Sequence, residues 1–63
     1  MCESTAYLQQ RGTRNKLMED VAKLQVTASG VRLYDMLGNM KEVRGGRVAE
    51  INFTEHAIIL VKD

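Results

Sequence analysis

The residue with the widest chemical reach in this 63-residue chain is Cys2. Initiator methionine is commonly removed when the next residue is small, and cysteine qualifies. Cys2 would then carry the free α-amine. Its amine nitrogen and thiolate sulfur close a five-membered ring on one metal ion. In model peptides these groups titrate near ~8 and ~8.5, so a divalent metal can displace both protons near neutrality. Two such arms across a two-fold axis supply two nitrogens and two sulfurs. That set suits Ni(II) or Cu(II) when planar and Zn(II) when tetrahedral. A homodimer with one metal on its axis follows as an expectation. With Met1 retained, the chelate reduces to a thiolate and backbone nitrogens. Two other readings of Cys2 stand beside this one: a small buried hydrophobe on a first strand, and a redox-active thiol.

The remaining side chains offer less. His56, the single histidine, falls at a turn, where a hydrogen-bonded or surface role is commoner than ligation. Ser4 or Ser29 with His56 and Asp35 could be drawn as a triad, but no G-x-S-x-G turn presents a nucleophile. Gly45-Gly46 is followed by Arg47, not by the lysine and hydroxyl of a phosphate loop. Glu19 and Asp20 are adjacent, point to opposite faces of a strand, and read as a solvated corner. The expectation is therefore a binding protein and not an enzyme. Met18, Met36 and Met40 read as packing or edge filler. Arg11, Arg14, Arg32, Arg44 and Arg47 are interspersed with acids. A modest patch near Arg44 and Arg47 could hold an RNA phosphate. Tyr7, Tyr34 and Phe53 are the aromatics available for stacking, with Phe53 expected in the core. A net charge of +1 lacks the basic excess usual in nucleic-acid binders.

Elements must position these groups. A chain this short buries only ~60% of its unfolded surface and needs a staple. One cysteine cannot form an intrachain disulfide, so a metal or a partner subunit remains. The first residues show neither a basic start nor an apolar run, and the longest apolar run, Ala57 to Val61, is far too short to span a membrane. These features predict a cytoplasmic protein.

Proline is absent, and glycines at 12, 30, 38, 45 and 46 cut the chain into short runs. Cys2 to Gln10 alternates as a first strand. Turns follow at Arg11–Asn15 and Thr27–Gly30. Residues 31–36 alternate as a strand, Leu37-Gly38-Asn39 turns, and Met40 to Arg44 forms a short strand stopped by Gly45-Gly46. Arg47 to Phe53 alternates less cleanly, and Asn52 to His56 holds a turn. Ala57 to Val61 is continuously apolar, as in a strand covered on both faces. Asn15 to Val26 fits a helix capped by Asn15 as well as two strands, Lys16–Met18 and Ala22–Val26, around the Glu19-Asp20 corner. Strands are preferred because the rest of the chain needs pairing partners. The expectation is one domain over residues 1–63, all-β: a small SH3/Sm-like barrel of five to seven short strands, dimeric.

The start Met1-Cys2, the segment Met18-Glu19-Asp20-Val21, the stretch from Val31 to Gly38, and the ending Ile51 … His56 to Leu60 together resemble the CooT family. These are small nickel-binding accessory proteins linked to carbon monoxide dehydrogenase maturation. The resemblance covers nearly the whole chain and lies in the order and spacing of the pieces. It implies a small β-barrel homodimer that binds Ni(II) through Cys2 and delivers or buffers nickel for a nickel enzyme or its maturation factors. No metal role is carried onto His56. The alternative is an RNA-binding Sm-like barrel, which rests on analogy of fold.

Overall fold

The computed structural model describes residues 3–62. The expected strand start at Cys2 thus lies outside the described residues. Six strands follow one another: β1 (Ser4–Gln10), β2 (Thr13–Thr27), β3 (Gly30–Asp35), β4 (Met40–Arg44), β5 (Gly46–Asn52) and β6 (Ala57–Lys62). They form one sheet in the order β4-β3-β2-β1-β6-β5. The all-β expectation holds, and the strand number falls within the range expected. The ladder ends at β4 on one side and at β5 on the other, so the barrel takes the form of a curled sheet that does not close.

The long second strand makes the curl. The expected pair of strands around Glu19-Asp20 is a single strand of 15 residues with an irregularity where the corner was placed. Asp20 has a left-handed backbone, φ 53°, which aspartate tolerates better than most residues. The register slips beside it against both neighbours, between Ser4 and Ala6 and between Val21 and Lys23. A bulge of this kind bends a strand and increases its twist. It also resets the two-residue alternation: Leu17, Met18, Val21 and Leu24 pack against the core, while Ala22 and Val26 are exposed.

The bend lets the two halves of the sheet face each other. Val31 and Leu33 of β3 and Val43 of β4 meet Ala6 of β1 and Ile58 and Leu60 of β6 in one apolar cluster. Leu33, Leu60 and Val31 are its largest fully buried side chains. β6 lies between β1, which it pairs in parallel, and β5, which it pairs antiparallel. Ala57, Ile58, Ile59 and Leu60 are all buried, as its unbroken apolar run implies.

Two glycines close the corner between β4 and β5. Gly30 has φ +152° and faces the Val43 backbone carbonyl so tightly that a Cβ would collide with it. A Cβ on Gly46 would lie 2.7 Å from Val43 Cγ1. Between them the Gly45 N–H donates to the Ser29 carbonyl at 2.7 Å.

Several apolar residues expected inside are outside. Phe53 is 82% exposed rather than in the core, because it opens the turn between β5 and β6. Met36 and Met40 are also exposed, and among the three methionines considered Met18 alone packs against the cluster.

Candidate metal-binding end of the sheet

Cys2, the sequence-predicted ligand, lies outside the described residues. Its neighbour Glu3 is exposed and leads directly into β1. The register places five strands side by side where β1 begins. Asp35 of β3 pairs with Val21 of β2, and Val21 pairs with Ser4 of β1. Thr5 pairs with Ala57 of β6, and Ala57 pairs with Asn52 of β5. Two turns leave this row, one from β3 to β4 and one from β5 to β6.

The first turn is held by a carboxylate. Asp35 Oδ1 accepts the backbone N–H groups of Leu37 and Asn39, each at 2.9 Å, and Asp35 Oδ2 accepts Asn39 Nδ2 at 2.9 Å. The Asp35 N–H donates to the Asn39 carbonyl at 3.0 Å, and the Gly38 N–H to the Asp35 carbonyl at 3.2 Å. Hydrogen bonding to an ionised carboxylate favours the charged form. The Asn39 side-chain amide, helped by the backbone donors, holds Asp35 below the ordinary aspartate range despite some desolvation. Asp35 is therefore a turn former, engaged with its own backbone.

The second turn is Phe53–His56. Asn52 Oδ1 accepts the Glu55 N–H at 2.9 Å. The Thr5 N–H donates to the His56 carbonyl at 2.9 Å, which ties the turn to the start of β1. His56 is exposed, with φ 55°. It thus lies beside the start of β1, a juxtaposition that 50 intervening residues hide from the sequence.

The other candidates disperse. Glu19 pairs with Lys16, which lowers the glutamate and raises the lysine through their hydrogen bond and charge. Both are exposed, so the pair contributes little. Ser29 lies at the β2–β3 hairpin, away from Asp35 and His56. Ser4 shares their row, but the Asp35 carboxylate is engaged with its own turn. Arg44 ends β4 and Arg47 follows in β5 across the Gly45-Gly46 corner, both exposed, so the two cations stay near each other there. Tyr7 has the Arg14 guanidinium 5.8 Å from its ring centre, and Tyr34 has Lys23 Nζ at 4.4 Å. Each cation sits over one face of its ring. Among the described residues, no group of three or more His, Cys, Asp or Glu side chains could hold a metal. No helix among the described residues is long and apolar enough to cross a membrane.

Together these features define a small all-β protein of one curled six-stranded sheet, with β1 beginning between two ordered turns. Residues 1–61 match the family described as CO dehydrogenase accessory protein CooT. An uncharacterised protein of Archaeoglobus fulgidus is 46% identical over 43 residues, which cover 68% of this chain and 93% of that protein. The crystal structure of a candidate CooT from Carboxydothermus hydrogenoformans superposes with a TM-score of 0.89 over 98% of both chains, at 24% identity. That likeness establishes the fold.

The chain belongs to the CooT family, accessory proteins of CO dehydrogenase. Its role is accessory and not catalytic.

Proposed function

We propose that this chain is a single-domain, cytoplasmic nickel-binding accessory protein, a metallochaperone or nickel buffer for maturation of a nickel enzyme. It holds Ni(II) through Cys2 at the axis of a homodimer. The observation that carries the reading is the family match across residues 1–61, which includes the chain's one cysteine. CO dehydrogenase is itself a nickel enzyme, so its accessory protein has a reason to handle that metal.

The donor chemistry agrees. A described surface without a three-ligand cluster leaves the N-terminal thiolate as the strongest available donor. The Cys2 sulfur and amine supply two donors of one chelate ring, so a four-coordinate ion takes its other donors from backbone nitrogens or from a second arm. The second copy of the chain is the simplest source. Cu(II) outranks Ni(II) at most nitrogen and sulfur sites, so the choice of nickel rests on the family.

The test uses protein with Met1 removed, verified by mass. Wild type should bind Ni(II) in calorimetry and show a thiolate-to-nickel charge-transfer band. Cys2→Ser should lose the band and at least a hundredfold in affinity. Unchanged nickel affinity in Cys2→Ser would end the reading.

A further inference from the structure

Charge is distributed unevenly between the two ends of the sheet. One end holds the start of β1, the bend of β2 and the β3–β4 and β5–β6 turns. Its carboxylates are Glu3, Asp20, Asp35 and Glu55. The other end holds the β1–β2 and β2–β3 hairpins, the β4–β5 corner and the end of β6. It carries Arg11, Arg14, Arg44, Arg47 and Lys62, all of them exposed. Among the described residues, no carboxylate belongs to those hairpins, that corner or the flanking strand ends. Asp63 follows Lys62 in sequence and lies outside the described residues. Five of the nine lysines and arginines thus share one end of a chain whose net charge is only +1.

The register joins these groups. Arg14 pairs with Gln9, Gln9 with Val61, and Val61 with Arg47. Directly opposed residues share a face of a sheet, so Arg14 and Arg47 flank one row across four strands. Three strand spacings of ~4.8 Å set them about 15 Å apart. Gly30 pairs with Arg44, and the Gly45 N–H donates to the Ser29 carbonyl. Those contacts hold Arg44 at the same end from the other half of the sheet. Lys62 pairs with Gly46 beside it. Arg11, Arg44 and Lys62 make no ion pair with a described residue. Arg14 is steadied by its hydrogen bond to Gln9 Oε1 at 3.1 Å and by the Tyr7 ring. At Arg47 the row runs into an open cleft of about 550 Å³, whose walls include Val26, Thr27, Ser29, Gly46 and Val48. Val26 is 74% exposed there.

We propose that this basic end docks an acidic, extended segment of a partner protein, with its carboxylates along the arginine row and an apolar side chain in the cleft against Val26. The surface is separate from the nickel reading and does not depend on it. Charge complementarity identifies the occupant. Cations concentrated at one end attract carboxylates, and the acidic far end turns the molecule so that the basic end leads. A segment of about five extended residues spans the row at ~3.3 Å per residue. A nucleic acid fits less well. It offers the cleft no apolar side chain, and its continuous phosphate charge meets a patch one row wide with an acidic end beyond it.

The experiment is fluorescence anisotropy on the full, metal-free chain at 50 and 500 mM NaCl. The probe is a labelled peptide of glutamates around a central leucine pair. It should bind at the lower salt and lose about tenfold or more in affinity at the higher. Arg14→Glu and Arg44→Glu, on different halves of the sheet, should each weaken binding about tenfold. Lys23→Glu makes the same change in net charge beside Tyr34, away from this end, and should leave affinity within about twofold. All three positions are exposed, so circular dichroism should register an unchanged fold in each variant. An all-glutamate peptide should bind more weakly than the leucine-bearing one. A probe that does not bind wild type, or a Lys23→Glu protein weakened as much as the arginine variants, would overturn the proposal. Tighter binding of an octauridylate RNA would also overturn it, in favour of nucleic acid. So would salt-sensitive assembly of the chain beyond a dimer, in favour of the acidic end of another copy. Nickel affinity should be equal in wild type and the arginine variants, so failure here leaves the Cys2 reading standing, and failure of Cys2→Ser to lose nickel leaves this surface standing.

Discussion

The two ends of the sheet are built on different principles. At the β4–β5 corner the backbone itself is packed. Gly30 and Gly46 press against Val43, and the Gly45–Ser29 hydrogen bond joins the hairpin to the corner. At the other end, hydrogen bonds from Asp35 and Asn52 set the turns, and large apolar side chains are turned outward. The first end has almost no freedom to accept a side chain. The second holds its backbone firmly and leaves its side chains available.

Substitutions can break that contrast. Gly30→Ala should have the largest effect on folding. It combines a backbone conformation unfavourable to L side chains with a collision against a backbone carbonyl, and should cost about 3 kcal/mol in urea denaturation. A Gly30→Ala protein as stable as wild type would show that the corner can relax. The contrast would then reduce to a difference in composition.

A smaller effect is expected from Asp35→Asn, and it depends on pH. The Asp35 pKa is lowered in the folded protein. Its charge therefore contributes stability above the unfolded aspartate pKa of ~3.9 and loses that contribution as pH falls through the lower folded value. Asp35→Asn should be less stable than wild type at pH 7, with the gap narrowing in melts below about pH 4. A gap that is independent of pH would assign the turn to packing rather than to the carboxylate.

The smallest effect should come from Lys16→Ala, which removes the exposed Lys16–Glu19 pair away from both ends. Its melting temperature should match wild type within experimental scatter in both low and high salt. A clear loss of stability there would mean that the bend of β2, four residues on at Asp20, depends on charge.

The family resemblance was legible from ordered fragments spread along the chain, and the match over residues 1–61 bears it out. The outward placement of apolar residues at the two turns was harder to read. Met36 and Met40 look like ordinary packing residues, and Phe53 looks like core, because hydrophobicity alone favours burial. The available signal was position: Phe53 lies between Asn52 and His56, inside a segment already marked as a turn. Exposure of a large side chain at a turn, two strands from the chain start, is a tertiary fact.

Local chemistry determined much of this protein. Glycine and polar clusters set the turns, the alternation of Val31 and Leu33 set β3, the bounds of β4 were readable to the residue, and the apolar run in β6 required burial on both faces. The sequence also singled out Cys2. Tertiary structure alone decided that β2 would run unbroken through Glu19-Asp20 and that β1 would pair in parallel with β6. It also decided that His56 would be tied to Thr5. The reason is physical. Turns and alternation depend on neighbouring residues, whereas a bulge and a parallel ladder depend on which distant backbone groups satisfy each other once the two halves of the sheet close on one core.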